Sequence, residues 1–309
     1  MFLPTSYPLT QIFRVSTLIL PHKFFQKVME LQGLKDMASQ VRRDIVRMVH
    51  GCQSGHPGGS LGCTDFLVAL YCKVMKHNPS SFSMEGKNED LFFLSNGHIS
   101  PVFYSVLARS GYFPVKELAS FRQLNARLQG HPTTHEGLPG VRIASGSLGQ
   151  GLSVACGAAL AKKMNGDNFT VFSLHGDGEM QEGQNWEAIL FAAHHKIDNL
   201  IATVDVNGQQ IDGATKTVMN IEPLKDKFLS FGWDVIEMDG NNMVAVVNTL
   251  ENAKNNHLRK GKPVCILMKT EMGKGIDFME GTHEWHGIAP NDAQLALALN
   301  QQKETLGDY

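Results

Sequence analysis

One aspartate stands between two glycines in HGDGEMQEGQNWEA (175–188), directly after the apolar run 169–174. A short apolar run closed by such a turn reads as a buried strand, which puts Asp177 at its tip. Thirty positions later Asn207 follows a second apolar run, in NLIATVDVNGQQIDG (199–213). That interval is one β-α-β unit, and ligands of open parallel sheets sit beyond the carboxyl ends of the strands. A carboxylate, an amide oxygen and a nearby backbone carbonyl are hard donors that suit Mg2+, which shares its shell with phosphate oxygens and water. Gly176 and Gly178 let the backbone approach such a phosphate. The helix expected after the turn points its N-terminus at the same place, which favours an anion. A lone Asp-Gly turn is usually an ordinary surface turn; here the turn, the spacing and both strand contexts agree.

The elements that must position these groups alternate along the chain. Leu34, Met37, Ala38, Val41, Ile45, Met48 and Val49 keep helical spacing. The glycine-rich GCQSGHPGGSLG (51–62) follows, and a second helix is expected from Thr64 to Lys76. LFFLSNGH (91–98) reads as a short strand ending in a polar turn, and SPVFYSVLARSG as a helix stopped at Gly111. Residues 121–150 are rich in loop signals, and small residues from Gly151 to Ala161 predict a tightly packed helix. Strands are expected at 169–174, 199–205, 233–237 and 263–269, separated by helices near 184–196, 222–230 and 242–256. This alternation predicts an α/β fold: a doubly wound, mostly parallel sheet with helices on both faces. One domain is expected from residue 29 to 309, without internal repeat or linker.

Composition narrows the partners. The chain has 309 residues, 42% hydrophobic and 19% charged, with a net charge of −2 and no long basic run. Nucleic acid and anionic membranes are therefore poor partners. No stretch of about 18 apolar residues is present, so no membrane span is expected. The five cysteines form no C-x-x-C pair, which reads as reduced thiols in a cytoplasmic protein rather than a disulfide framework or zinc site. Residues 1–28 hold no Asp or Glu but include Arg14, Lys23 and Lys27. An acid-poor start can be a transit peptide; the reading here is a poorly ordered extension upstream of the domain.

Seven motifs occur in a fixed order: SGHPGGSLG (54–62), LSNGHISPVFYSVL (94–107), GHP (130–132), SGSLGQGLSVACGAALA (145–161), GDGEMQEGQNWEA (176–188), DVNGQQIDG (205–213), then KTEMGKG with HEWHGIAP (269–290). G-D-G followed about thirty residues later by N is a thiamine diphosphate motif. The whole series resembles the N-terminal half of transketolase, the domain that binds the cofactor's diphosphate. The resemblance runs from about residue 30 to 300.

That resemblance implies a thiamine diphosphate-binding fold with thiamine diphosphate and Mg2+ as cofactors, Ca2+ or Mn2+ being possible substitutes. It places Asp177, Asn207 and the carbonyl of Gln209 on the metal, with Gly178 and Glu179 on the diphosphate side. His98 and His286 would approach the phosphates or the thiazolium. Gly146 and Leu148 would border the ring system, and Ile211 the pyrimidine. His56 and His131 would bond hydroxyls flanking the donor carbonyl, so His56, His98, His131 and His286 are the candidate catalytic residues. Isolated histidines are more often structural, and His77, His135, His194, His195 and His257 keep that bland reading; His283 is a weaker candidate. Glu182 would join a carboxylate contact across the subunit interface, although an acid near a helix N-terminus needs no such reason. Ser147 stands where many members have proline, and Gln209 replaces an apolar residue.

The family's pyrimidine-binding domain carries the glutamate that activates the cofactor and the aromatic residue that stacks on it. Nothing in these 309 residues matches it. The expectation is one chain of a split transketolase, paired in an α2β2 assembly with a chain that carries the pyrimidine domain, the C-terminal transketolase subunit. The pair would move a two-carbon ketol unit between sugar phosphates. Alternatives are a relative of the alpha chain of 2-oxo acid dehydrogenases, a deoxyxylulose-phosphate synthase relative, or a non-catalytic cofactor-binding paralogue. A dinucleotide site at GSLGQG lacks the G-x-G-x-x-G order after a strand.

Overall fold

The computed structural model describes residues 29–309. The expected extension, 1–28, lies outside the described residues. In chain order come α1 (Leu31–Cys52), α2 (Pro57–Gly62), α3 (Thr64–Ala69), β1 (Leu91–Leu94), α4 (Ser100–Arg109), α5 (Gln150–Met164), β2 (Val171–Gly176), α6 (Gly183–His194), β3 (Leu200–Val206), β4 (Gln209–Gln210), β5 (Gly213–Ala214), α7 (Thr215–Val218), α8 (Leu224–Ser230), β6 (Asp234–Asp239), α9 (Met243–Asn252), β7 (Val264–Lys269) and α10 (Asp292–Gln301).

Five strands form one sheet in the order β1-β2-β3-β7-β6, every pair parallel. Successive side chains of a strand point to opposite faces, and here both faces are covered. Phe92, Leu94, Phe172, Leu174, Ile201, Ile266 and Met268 join a core with α1, α3, α4 and α9. Leu91, Phe93, Val171, Leu200, Ala202, Val204, Cys265 and Leu267 join a second core with α5, α6 and α8. Continuous apolar runs are what a doubly covered parallel sheet requires, so the expected architecture is the observed one. The tail after α10 lies along α1: Arg43 makes a two-pronged bond to Asp308 at 2.9 and 2.6 Å, and Gln40 accepts from Thr305 and Leu306 backbone N–H groups.

Three local expectations change. The helix expected to Lys76 is α-helical only to Ala69; a wider turn over Leu70–Val74 ends it, with Met75 N–H donating to the Leu70 carbonyl. A similar wide turn, Ala253–His257, closes α9. After the G-D-G turn the chain does not enter the long helix directly. A 3-10 turn, Gly178–Gln181, comes first, Glu182 is extended, and α6 begins at Gly183. The amides beside Asp177 therefore belong to that single turn rather than to a long helix N-terminus.

Candidate functional site

The register of β2 on β3 places Gly176 opposite Asp205, so the two strands deliver Asp177 and Asn207 side by side. Asp177 is 2% exposed. One of its oxygens accepts from Gly178 N–H and the other from Gly208 N–H, both at 2.7 Å. The second bond spans the two strand tips. Asn207 donates to Asp205 at 2.8 Å, and its amide oxygen accepts from Gln209 N–H at 2.9 Å. Asp205 is fully buried and also accepts from the Thr270 hydroxyl at the tip of β7. Burial first, and the neighbouring Asp205 second, push the Asp177 carboxyl up to about 7. Two carboxylates in one dry corner make a place where a cation is stabilising. Among the described residues no three His, Cys, Asp or Glu form a metal-binding group; of the two carboxylates Asp205 is engaged by Asn207 and Thr270, which leaves Asp177 as the carboxylate at the strand tip, supported by neutral oxygens. Gly178 faces the β4–β5 hairpin, and a Cβ there would stand 3.3 Å from Gln210.

The four histidines singled out from the sequence meet beside this corner. His56 enters just ahead of α2, His98 from the turn after β1, His131 from the 121–149 loop and His286 from the turn His283–His286. Ring centroids lie 5.2 Å apart for His56–His98, 5.4 Å for His56–His286, 6.2 Å for His56–His131 and 5.1 Å for His98–His286. Burial, followed by His286, Arg122 and His131, lowers His56 to about 4. Burial also lowers His98, His131 and His286. These shifts favour the neutral imidazole, able both to donate and to accept, at all four positions. Nδ1 of His56 and of His286 is buried without a partner, an arrangement that a protein closes with a ligand or water.

The other expected positions divide. Gly146 has φ +127°, and a Cβ there would press 2.7 Å from the His131 ring, so only glycine lets this loop lie on that histidine. Leu148 is half-buried in the same loop. Ile211 is 61% exposed at the hairpin tip, and a Cβ on Gly287, next to His286, would lie 4.0 Å from it. Glu182 is exposed at the entry to α6 and does not cap that helix with its side chain. Glu179 is 2% exposed, and its carboxylate is used inside the protein. It accepts from the Ser95 hydroxyl, from Gly149 N–H at 2.8 Å and from Gly176 N–H at 3.1 Å. It thereby fastens the tip of β1, the SGSLGQG loop and the tip of β2 to one another.

Residues 34–307 match the model of the family described as transketolase, thiamine diphosphate binding domain. This chain belongs to that family. It is 38% identical over 272 residues to an apulose-4-phosphate transketolase subunit of Actinobacillus succinogenes, covering 88% of this chain and 96% of that one. It is 39% identical over 269 residues to a 6-deoxy-6-sulfo-D-fructose transketolase subunit of Clostridium sp., covering 86% and 94%. Among solved structures, a transketolase from Campylobacter jejuni aligns with a TM-score of 0.82 at 35% identity, over 89% of this chain and 43% of that one.

The residues of this transketolase-family domain fit a diphosphate with its metal. The raised Asp177 carboxyl, the neutral oxygens around it and the unpaired Nδ1 of His286 are the features such a group satisfies. Sequence reading does not foresee the tie formed by Glu179, nor Asp205 and Thr270, which hold Asn207 from behind. Asp205 stands in the DVNGQQIDG motif, but its burial depends on β7, which arrives about sixty residues later.

Proposed function

We propose that this chain is the diphosphate-binding subunit of a two-chain transketolase that transfers a two-carbon ketol unit from a ketose, usually phosphorylated, to an aldose. The observation that carries the reading is the meeting of four neutral histidines with the Asp177–Asn207 corner at one end of the sheet. On this reading residues 29–309 form one domain. Asp177, Asn207 and the Gln209 carbonyl hold Mg2+, and Gly178 lies against the diphosphate. His98 and His286 face the cofactor, while Gly146, Leu148 and Ile211 line its rings. Glu179 supports the cradle. When bound, thiamine diphosphate supplies the electron sink for carbon–carbon cleavage.

The chain's own residues bind and orient. His56 and His131 are placed to hydrogen-bond the hydroxyls beside the donor carbonyl. A histidine lowered to about 4 is a weak base. His56 therefore positions a hydroxyl of the donor by accepting its hydrogen bond rather than by holding its proton.

Relatives of nearly the same length are themselves named as transketolase subunits rather than as whole enzymes. This supports a second chain; on our reading that chain carries the pyrimidine-binding domain and the two form an α2β2 assembly. Its docking face on this reading is the outer side of α5 and α6. There Val154, Met164, Leu190 and Phe191 are 41%, 79%, 58% and 41% exposed. The test is to purify this chain together with its pyrimidine-domain partner, then assay ketol transfer with thiamine diphosphate and Mg2+. The donor panel should include pentulose phosphates, a branched ketose phosphate and a sulfonated ketose. Activity only with both chains is expected. Activity from this chain alone overturns the two-chain reading, and silence of the pair on every donor overturns the transferase reading.

A further inference from the structure

Arg122 sits where an arginine is costly. Its φ is +57°, a left-handed conformation that residues with a Cβ rarely adopt. The backbone there closes a tight loop, Arg122 N–H donating to the Leu128 carbonyl at 2.8 Å. The side chain turns inward over the Phe121 ring, 5.5 Å from its centroid. One arm donates to the Ser54 hydroxyl at 2.7 Å and the other reaches the Gly130 carbonyl at 3.5 Å. Ser54 stands two residues before His56, and Gly130 one residue before His131. A Cβ on Gly130 would lie 2.7 Å from the guanidinium, so the group rests directly on that backbone. Ser100 also donates to the Gly130 carbonyl, at 2.7 Å.

We propose that Arg122 is a positioning residue of the sugar pocket: it ties the loop bearing His56 to the loop bearing His131 and places a permanent positive charge behind both imidazoles. The proposal rests on the reading of His56 and His131 as ligands of the donor sugar. The groups facing His56 are His98, His131, His286 and Arg122, and those facing His131 are His56, His98 and Arg122. A fixed cation disfavours a protonated neighbour, so Arg122 keeps both histidines in the neutral form that can accept from a hydroxyl.

The test uses Arg122→Gln and Arg122→Lys in the full chain, with histidine ring signals followed by NMR against pH. In Arg122→Gln the His56 and His131 signals are expected to titrate at higher pH than in the wild type. In Arg122→Lys the charge remains and the titrations return toward wild type. In the two-chain enzyme both variants are expected to raise the KM for donor ketose roughly tenfold, with cofactor affinity unchanged, because the two-pronged tie is lost. Unmoved titrations in the folded Gln variant, or a donor KM equal to wild type in the Lys variant, overturn the proposal. A wild-type pair without ketol transfer sinks the transketolase reading instead; the titrations need neither partner nor substrate and still judge the charge of Arg122.

Discussion

The Asp177–Asn207 corner and the histidine cluster are neighbours at the same end of the sheet, and they are built in opposite ways. Around Asp177 the protein has already supplied partners: both carboxylate oxygens accept backbone amides, Asn207 is held by Asp205, and Glu179 binds three segments together. Around His56 and His286 buried ring nitrogens have no partner. The first region is held rigid by the protein before anything binds. The second is shaped but incomplete, and its hydrogen bonds wait for a ligand. On the function proposed above, a site that grips a resident cofactor and also admits and releases sugars gains from that division.

Substitutions should separate the two regions. The largest effect is expected from Asp177→Ala, which removes the one charged donor of the corner. Affinity for thiamine diphosphate with Mg2+ should fall by about 3 kcal/mol, roughly a hundredfold, by titration calorimetry; normal binding would remove Asp177 from the metal. Next, His56→Asn should lower kcat/KM for the ketose on the order of tenfold to a hundredfold while leaving cofactor affinity near wild type. A matching loss of cofactor affinity would erase the distinction between the regions. Glu179→Gln should destabilise folding by about 2 kcal/mol in urea titration, since a charged acceptor shared by Ser95, Gly149 and Gly176 becomes a neutral amide. Unchanged stability would show that the tie is not one.

The smallest effect belongs to a control remote from both regions. The Arg43 guanidinium lowers Asp308 from 3.8 to about 2. A carboxyl lowered on folding adds stability that is complete above its unfolded value and is lost as pH falls from near 3.8 through about 2. The Asp308 side chain is 19% exposed, close enough to solvent that screening reduces its contribution to about 1 kcal/mol. Asp308→Asn should flatten acid unfolding in that window and leave cofactor binding and ketol transfer untouched.

Much of this is legible in the chain because the informative signals are local. G-D-G, the second strand and Asn207 mark the corner within some thirty residues, and each histidine sits in its own short motif beside Gly or Pro. The parallel sheet follows from the alternation of apolar runs with helical spacing. What stays hidden depends on contacts between distant residues. Ser95 and Gly149 lie 84 and 30 positions from Glu179, and no pattern in GDGEMQEG marks that glutamate as a clasp. Arg122 is equally silent: FRQLNARL lies in a loop-rich stretch and holds the turn residue Asn125, but nothing at position 122 itself announces a left-handed arginine. The 3-10 turn after Asp177 is hidden for a related reason, since its shape is set by the amides that Asp177 and Glu179 capture.

The parallel pairing of β2 with β3 has a consequence for how such a protein can change over time. Asp177 and Asn207 are spaced by the interval between hydrogen-bonded strands, about 4.8 Å, and by the register that sets Gly176 opposite Asp205. The helix between them contributes nothing to that spacing. Residues can be gained or lost at the end of α6 without moving either oxygen donor, whereas one residue inserted within either strand would turn its donor to the opposite face of the sheet.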